Sequence, residues 1–582
     1  MSVVIVGIDF GSSGTGYSYS YNNSDEIELG KFPDQNTEIK VPTNIILDSD
    51  LKTIKAFGEK CNNYIDGHQL MNGELYFKRI KMNLYYNIFF IKPENDSRVY
   101  PIVDVIAKIF EYIKEEVLKT IHYNKPNLRE EQIKWVVTVP AIWNLVQKGI
   151  MIQACEKAGL FNQYTDRSNF LALEPEAASL YCLKDKFIDP NYIKPGKSYI
   201  ICDLGGGTGD IVTHYNKKND CIDEKYYPIG GPYGSDEIDK DFYNKVFNIL
   251  FGFNSFNSLK EKFNYLRNNN TEFSWNDEDE LYIEWKKLQD EIQKKKKITE
   301  DLREKSFFLN CQIFKDFMKD ITLENLVDNY NKSCEKGWQI KIHNKKRWIL
   351  MFPYKIIFDL IYKQAELISA QISEIIQKVS DIESILYVGG YCSNEVLIKY
   401  FKEKFKNLCH LKPSNPEKAI LKGAVLFGIN PNIINLRISA YTIGFNCDED
   451  WDEIKHAGID KKYQYYDAVN GKFKCKDSFH ILIKKGQEIP QDYTITESFF
   501  TMNSRIIILK FFKTLNPNPI LFTEEGVELI GNEQLDLGRD FSLEERNFNI
   551  ILKFGGTFYD AKCIHEKSGK ELKFPLYFNN SN

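Results

Sequence analysis

Two short segments of this 582-residue chain carry the residue types that hold phosphate and a hard cation. The first is GIDFGSSGTG, Gly7 to Gly16, and the second is ICDLGGGTGD, Ile201 to Asp210. In each, an apolar run ends at an aspartate, Asp9 or Asp203, and leads into glycine. Gly11 in the first segment, and Gly205, Gly206 and Gly207 in the second, remove the Cβ that would keep the backbone away from a phosphate. Ser12, Ser13 and Thr208 add hydroxyl and amide donors. One Asp-x-Gly turn after a strand is ordinary turn chemistry. Two in one chain point to opposed hairpins that clasp a triphosphate from both sides. Asp9 and Asp203 would then face a shared magnesium ion through its waters, since that ion keeps most of its hydration. No Walker A signature occurs, so the cradle is not of the P-loop type.

Such loops need strands to present them. Val3 to Asp9, Trp135 to Val139, Ser198 to Asp203 and Ser384 to Val388 are short apolar runs rich in β-branched residues, each ended by glycine or proline. Helical spacing over Val103 to Leu118 and Gln147 to Ala158 alternates with them, which predicts an α/β fold with its ligand at the strand C-termini. From about Asp236 to Ser380 the chain reads as mainly helical and charged, with a long amphipathic stretch over Ile356 to Ile376. Beyond about Pro431 the pattern changes to strands at Phe479 to Lys484, Arg505 to Phe511, Asn547 to Phe554 and Tyr559 to Glu566. A boundary near 430–440 follows, with a β-sandwich or barrel-like unit after it.

The bulk properties exclude several alternatives. A hydrophobic share of 43% with 27% charged residues is that of a globular protein, and the length calls for more than one core. A net charge of −5 gives no broad field for nucleic acid. The one basic run, Lys294 to Lys297, sits among acidic residues and reads as a solvated helix face. Twelve cysteines lie between Cys61 and Cys563 with no CxxC pair and no clustered histidines, which argues against a zinc site and a disulfide framework and suggests a cytoplasmic location. The N-terminus reads as a first strand, and no apolar run approaches the ~18 residues of a membrane span.

Further motifs carry a resemblance. They are WVVTVPAIWN (Trp135 to Asn144), LALEPEAASLYC (Leu171 to Cys182), DLGGGTGDIVTH (Asp203 to His214), GGPYGSDEID (Gly230 to Asp239), YVGGYCSNEVL (Tyr387 to Leu397) and ILKGAVLFG (Ile420 to Gly428). With the first loop, their order resembles the 70-kDa heat-shock proteins of the actin and sugar-kinase superfamily, most of all the atypical 12A/12B branch. The resemblance implies a two-lobed, actin-like (ribonuclease H-like) ATPase domain over 1–430. Lobe I would comprise about 1–200 and 365–430, and lobe II about 201–364. A β-rich substrate-binding-like module would follow over 440–582, with no helical lid and no acidic-apolar linker around Asn430 to Tyr441.

The resemblance also implies residue roles. Glu174 corresponds to the carboxylate that places the attacking water and the magnesium. With Asp9, Asp203 and Thr208 it forms the expected catalytic set for phosphoryl transfer, which needs mainly positioning and charge neutralisation. The lysine that reaches the terminal phosphate is Lys60 by position, with Lys78 and Lys81 as alternatives. Gly230, Gly231, Gly389 and Gly390 would line the ribose and phosphates. Glu291, Lys294 and Lys295 match a helix that touches adenosine, and Tyr391 stands in for a missing adenine-stacking arginine. The expectation is an ATP/ADP- and magnesium-binding, slowly hydrolysing, chaperone-like protein whose C-terminal module binds polypeptide clients or partner proteins, by strand addition for instance. A nucleotide-gated adaptor with little turnover and a small-molecule kinase are the alternatives.

Overall fold

The computed structural model describes residues 4–33, 39–67, 73–160, 171–217, 221–268, 278–297, 302, 304–468, 471–554, 556–557 and 559–576. Its first sheet runs in the order Leu171–Leu173, Ile133–Val139, Val4–Phe10, Gly14–Tyr21, Glu28–Leu29. The first three strands are parallel and the last two antiparallel. The second sheet repeats this plan as Cys409–Leu411, Ile382–Val388, Lys197–Leu204, Gly209–Asn216, Ile222–Gly231, with the same parallel and antiparallel pairings. Each sheet thus centres on a strand that ends in a glycine loop and doubles back as a hairpin. The expected strands at 135–139, 198–203 and 384–388 fall within these elements, as does the one at 3–9 from Val4 on, Val3 lying outside the described residues.

Val4–Phe10 is apolar throughout because it is buried on both faces. Val4, Val6 and Ile8 meet the helix Ile102–Asn124 in one apolar cluster. Ile5 turns to the other face, where Ala424 and Val425 of the helix Pro416–Ile429 pack. That helix sits unusually close. A Cβ on Gly7 would lie 2.8 Å from the Ala424 Cβ, and one on Gly423 would lie 1.7 Å from the carbonyl of Ala177 in the helix Glu174–Lys184.

The assignment of 365–430 to the first lobe needs correction. Ile382–Val388 and Cys409–Leu411 pair into the second sheet, and only Pro416–Ile429 packs on the first. The expected helix over 356–376 extends to Lys355–Lys378. The region before it is not purely helical, because Ser306–Asn310, Lys341–Asn344 and Ile349–Pro353 form a small antiparallel sheet.

Past Asn430 the chain contributes two antiparallel sheets. One runs Gln464–Asp467, Lys472–Ile483, Thr442–Asp450, Ile506–Thr514, Glu528–Asp536, and the other Thr494–Phe500, Asn547–Lys553, Asp560–His565, Glu571–Pro575. Aromatic contacts join them face to face, with ring centroids 4.9 Å apart for Phe445 and Phe499 and 5.9 Å for Phe511 and Phe574. The segment without a recognisable linker signature forms a strand of its own. Ile434–Ile438 pairs parallel to Ile222–Gly231, and Glu488–Pro490 then pairs antiparallel to it, so the second sheet extends into the C-terminal unit. Among the described residues no helix is long and apolar enough to cross a membrane.

Candidate functional site

Asp9 and Asp203 occupy equivalent places, each one residue before the end of the strand that leads into its hairpin. Asp9 pairs across its hairpin with Gly16, and Asp203 with Asp210. The first loop is braced by Thr43, whose hydroxyl donates to the Gly11 carbonyl at 2.7 Å and lies 2.8 Å from the Thr15 hydroxyl. The second loop is braced by the segment after the third strand, because the amides of Ser235 and Asp236 donate to the carbonyls of Gly205 and Gly206.

The two loops face each other at contact distance. A Cβ on Gly206 would lie 1.8 Å from the Ser13 Oγ, and one on Gly207 would lie 2.7 Å from the Ser12 Oγ and 2.1 Å from the Met82 Sδ. A side chain on either glycine would have to displace Ser12, Ser13 or Met82. Gly389 closes the floor at φ +84°, where a Cβ would lie 2.4 Å from the Leu204 carbonyl and 2.7 Å from an Asp203 oxygen. The space between the loops is a cleft of about 150 Å³ lined by Asp9, Ser12, Lys40, Lys81, Glu174 and Asp203 among others. Small-molecule pockets usually enclose about 300–1,000 Å³, so this cleft is small for a group as large as a nucleotide.

Charge is concentrated in this cleft. Asp9, Glu174, Asp203 and Asp210 are all buried. Lys40 pairs with Asp9 at 2.5 Å, and the Lys81 ammonium donates to Glu174. Burial pushes the Glu174 carboxyl above its usual range, against the Lys81 ammonium, which holds it down. Burial, then repulsion from Glu174, Asp210 and Asp9, drives Asp203 well above its ordinary value. Asp210 is raised to about 7, first by burial and then by Glu174, although it accepts the Ile142 amide at 2.9 Å. Burial opposes the charge on Lys40, yet the Asp9 carboxylate raises its pKa overall. Three buried carboxylates in the lining, Asp9, Glu174 and Asp203, against Lys40 and Lys81 leave an excess of oxygen donors that suits a hard divalent cation, with Asp210 buried nearby but outside the lining.

Gly11, Ser12, Ser13, Gly205, Gly206, Gly207, Thr208, Gly389 and Gly390 line the cleft with Asp9, Glu174 and Asp203. Seven expected residues do not, Gly230 and Gly231 among them. Lys60 lies on the helix Glu59–Gly67 away from the cleft wall, and Lys81 fills the place expected of it. Lys78 is turned away too, paired with Glu94 at 3.0 Å. Glu291, Lys294 and Lys295 also miss the wall. On their helix, Glu278–Lys296, the inward face four residues apart is Ile292 and Lys296, and buried Lys296 pairs with Asp239 at 2.7 Å. The ring of Tyr391 is packed in the apolar cluster beside the second sheet, where it cannot stack on a base in the cleft.

Gly230 and Gly231 are a further correction. Gly230 lines a separate, larger cavity of about 360 Å³ between Trp143, Lys148, Glu224, Arg437 and Tyr559. Its Cβ would meet the Gly209 carbonyl at 2.2 Å, so glycine serves strand packing there. Lys40, Thr43, Asp210 and Glu417 are site residues that the motifs did not single out. Asp210 lies inside the second motif, and its place opposite Asp203 in the hairpin was the signal available.

No protein-family model matches the chain. Similar proteins span nearly all of it. Heat shock 70 kDa protein 12A of Mus musculus is 25% identical over 99% of this chain and 92% of its own length, and the Homo sapiens protein of that name aligns to the same extent. Heat shock 70 kDa protein 12B of Homo sapiens is 22% identical over 99% of this chain and 91% of its own. The resemblance that the motifs carried over the first 430 residues therefore extends through the C-terminal unit.

Proposed function

We propose that this chain binds ATP with magnesium in the cleft of an actin-like, two-lobed domain, hydrolyses it slowly, and couples the nucleotide state to polypeptide binding by the C-terminal β-module. The observation that carries the reading is the pair of glycine hairpins facing each other across buried Asp9, Glu174 and Asp203, with Lys40 and Lys81 between them. The named relatives support it, because heat shock 70 kDa proteins are nucleotide-binding proteins as a class.

In this reading Asp9 and Asp203 would hold magnesium, and the ion, when bound, would supply neutralisation of phosphate charge. The hydroxyls of Ser12, Ser13 and Thr208 and the loop amides bind phosphate oxygens. Lys81 meets the terminal phosphate, and Glu174, its hydrogen-bond partner, orients the attacking water. Two features of the structure favour coupling. The strand Ile434–Ile438 ties the second sheet to the C-terminal unit, and Arg437 on it reaches Glu176, two residues from Glu174. A coupled system needs two states biased by both sites, and parting of the loops is the candidate motion.

A second reading, a nucleotide-gated adaptor with little turnover, is favoured by the narrow cleft and by the absence of Glu291, Lys294, Lys295 and Tyr391 from its wall. Single-turnover ATP hydrolysis, with and without magnesium, separates the two. Wild type should release phosphate only with magnesium. Asp203→Ala, Glu174→Ala and Lys81→Ala should each lose release by roughly 10²-fold or more, while Lys60→Ala stays near wild type. Tight ATP binding by wild type with no phosphate release selects the adaptor. Normal turnover by Asp203→Ala, or no nucleotide binding at all, removes both.

A further inference from the structure

The C-terminal unit carries a second cluster of ligand-type side chains, remote in function from the cleft. Cys447 and Glu449 lie two residues apart on Thr442–Asp450, and His480 lies on the neighbouring strand Lys472–Ile483 opposite Phe445. One ligand atom from each of the three lies within 4.8 Å of the others. The His480 Nδ1 is 3.0 Å from a Glu449 oxygen. The pairing of the two strands shifts register between Cys447 and Glu449, where Asp477 takes a φ of 61°. Such a bulge raises local twist and re-aims side chains, and bulges are common beside functional sites.

The other side of the imidazole supplies an independent observation. The His480 Nε2 contacts the carboxylate of Glu497, which comes from the facing sheet on Thr494–Phe500. A metal-bound histidine almost always donates its other ring N–H to a carboxylate, which fixes the tautomer and aims the free lone pair at the ion. Glu497 is placed to do this for His480, and Nδ1, now bonded to Glu449, faces Cys447 and Glu449 and ligates once its proton leaves.

We infer that Cys447, Glu449 and His480 form a binding site for a borderline divalent transition metal of the zinc type. The donor set decides the class. Thiolate, imidazole and carboxylate together suit zinc, whereas magnesium and calcium take oxygen ligands. Three protein ligands leave a fourth position for water. The residues stay partly open to solvent, with His480 and Glu449 side chains 29% and 20% exposed, so an ion has an entry path. Coordination releases the thiol proton and the Nδ1 proton to solvent and displaces the Lys455 ammonium that now pairs with Glu449. Through Glu497 the metal would clip the two sheets of the unit together. The chain has no CxxC pair to announce such a site, because its ligands converge across strands.

The test uses the full chain, with cobalt(II) as the spectroscopic probe and zinc competed against a chromogenic chelator, in a thiol-free reductant. One equivalent of cobalt should bind and give a thiolate-to-cobalt charge-transfer band. Cys447→Ser should abolish that band, His480→Ala should abolish stoichiometric zinc binding, and Glu497→Gln should weaken zinc by roughly 10–100-fold. A band that survives in folded Cys447→Ser overturns the inference, as does wild type that binds less than one equivalent. Should Cys447→Ser fail to fold, Glu449→Gln decides. It keeps shape and thiol, so unchanged zinc affinity refutes the site and a loss of about 10-fold or more supports it. ATP turnover is not part of this readout, so the site stands or falls independently of the cleft.

Discussion

Replacing Arg437 by methionine removes the ion pair between the strand Ile434–Ile438 and the helix that carries Glu174, together with the attraction of Arg437 to Glu224. The guanidinium makes two hydrogen bonds to Glu176, from Nε at 2.7 Å and Nη2 at 2.9 Å. The Glu176 side chain is 1% exposed and that of Arg437 12%. Each charge-assisted bond at such a site contributes about 1.5–3 kcal/mol, and removing one partner of a buried pair costs about 3–5 kcal/mol because the other charge is left uncompensated. An exposed pair such as Lys472 and Asp450 is screened by water and would cost far less. One neighbour lowers the expectation. Burial, and then repulsion from Arg437, lowers the Lys148 pKa to about 8, so loss of Arg437 lets Lys148 hold its proton more firmly and face Glu176. The expected cost of Arg437→Met is therefore near the low end, about 3 kcal/mol. Urea unfolding followed by tryptophan fluorescence measures it at the first transition, since a chain with several cores need not unfold in one step. In the double variant Arg437→Met/Glu176→Gln more than half the loss should return. If the two single losses simply add, the ion pair is not the contact that matters and the argument fails.

Two further outcomes follow from buried groups. Gly389→Ala forces a Cβ into the Leu204 carbonyl and Asp203 at a positive φ, so it should cost about 1–3 kcal/mol in strain and also weaken magnesium-dependent nucleotide binding. Gly196→Ala, with φ +93° but open space around it, is the control and should leave nucleotide affinity unchanged in the same fluorescence titration. His214 is fully buried with neither ring nitrogen partnered, and burial lowers its pKa to about 3. A folded pKa below the unfolded one means stability that is present above about pH 6.5 and is lost as pH falls toward 3, up to about 4–5 kcal/mol for this group. His214→Phe should flatten that acid limb in pH-dependent denaturation. An acid limb equal to wild type would show that His214 is not its source.

The parts of the fold that the sequence revealed are those with a local signature. Four buried strands were visible because a strand covered on both faces must be continuously apolar, and the two loops because glycine follows each strand, at Gly11 where the turn's own Gly14 carbonyl leaves no room for a Cβ and at Gly206 and Gly207 where the first loop's serines stand close. The site residues that escaped are held by tertiary placement. Lys40 and Thr43 reach the first loop from a segment with no motif, and Lys81 was only one of three lysines until the helix Ile80–Tyr85 set it beside Glu174. The basic run misled for a related reason: four consecutive lysines point around the whole helix, and packing chose Lys296 for the interior. Ile434–Ile438 was silent for a different reason, since five residues joining two sheets need only alternate, and its partner strand lies about 200 positions earlier.

That connecting strand also determines where the chain can be divided. A break after Asn430, which the change of pattern invites, would strip Ile434–Ile438 from Ile222 and Asp223, at the start of the strand Ile222–Gly231, and open the backbone groups of that edge. An uncovered strand edge is a template for pairing with another chain. A chain ending after Asn430 would present that edge to other copies, whereas one ending after Pro490 would keep both border strands but strip Thr442–Asp450 from Ile506–Thr514. The joint is a shared seam of both halves, and dividing the molecule there changes its solubility before it changes its chemistry.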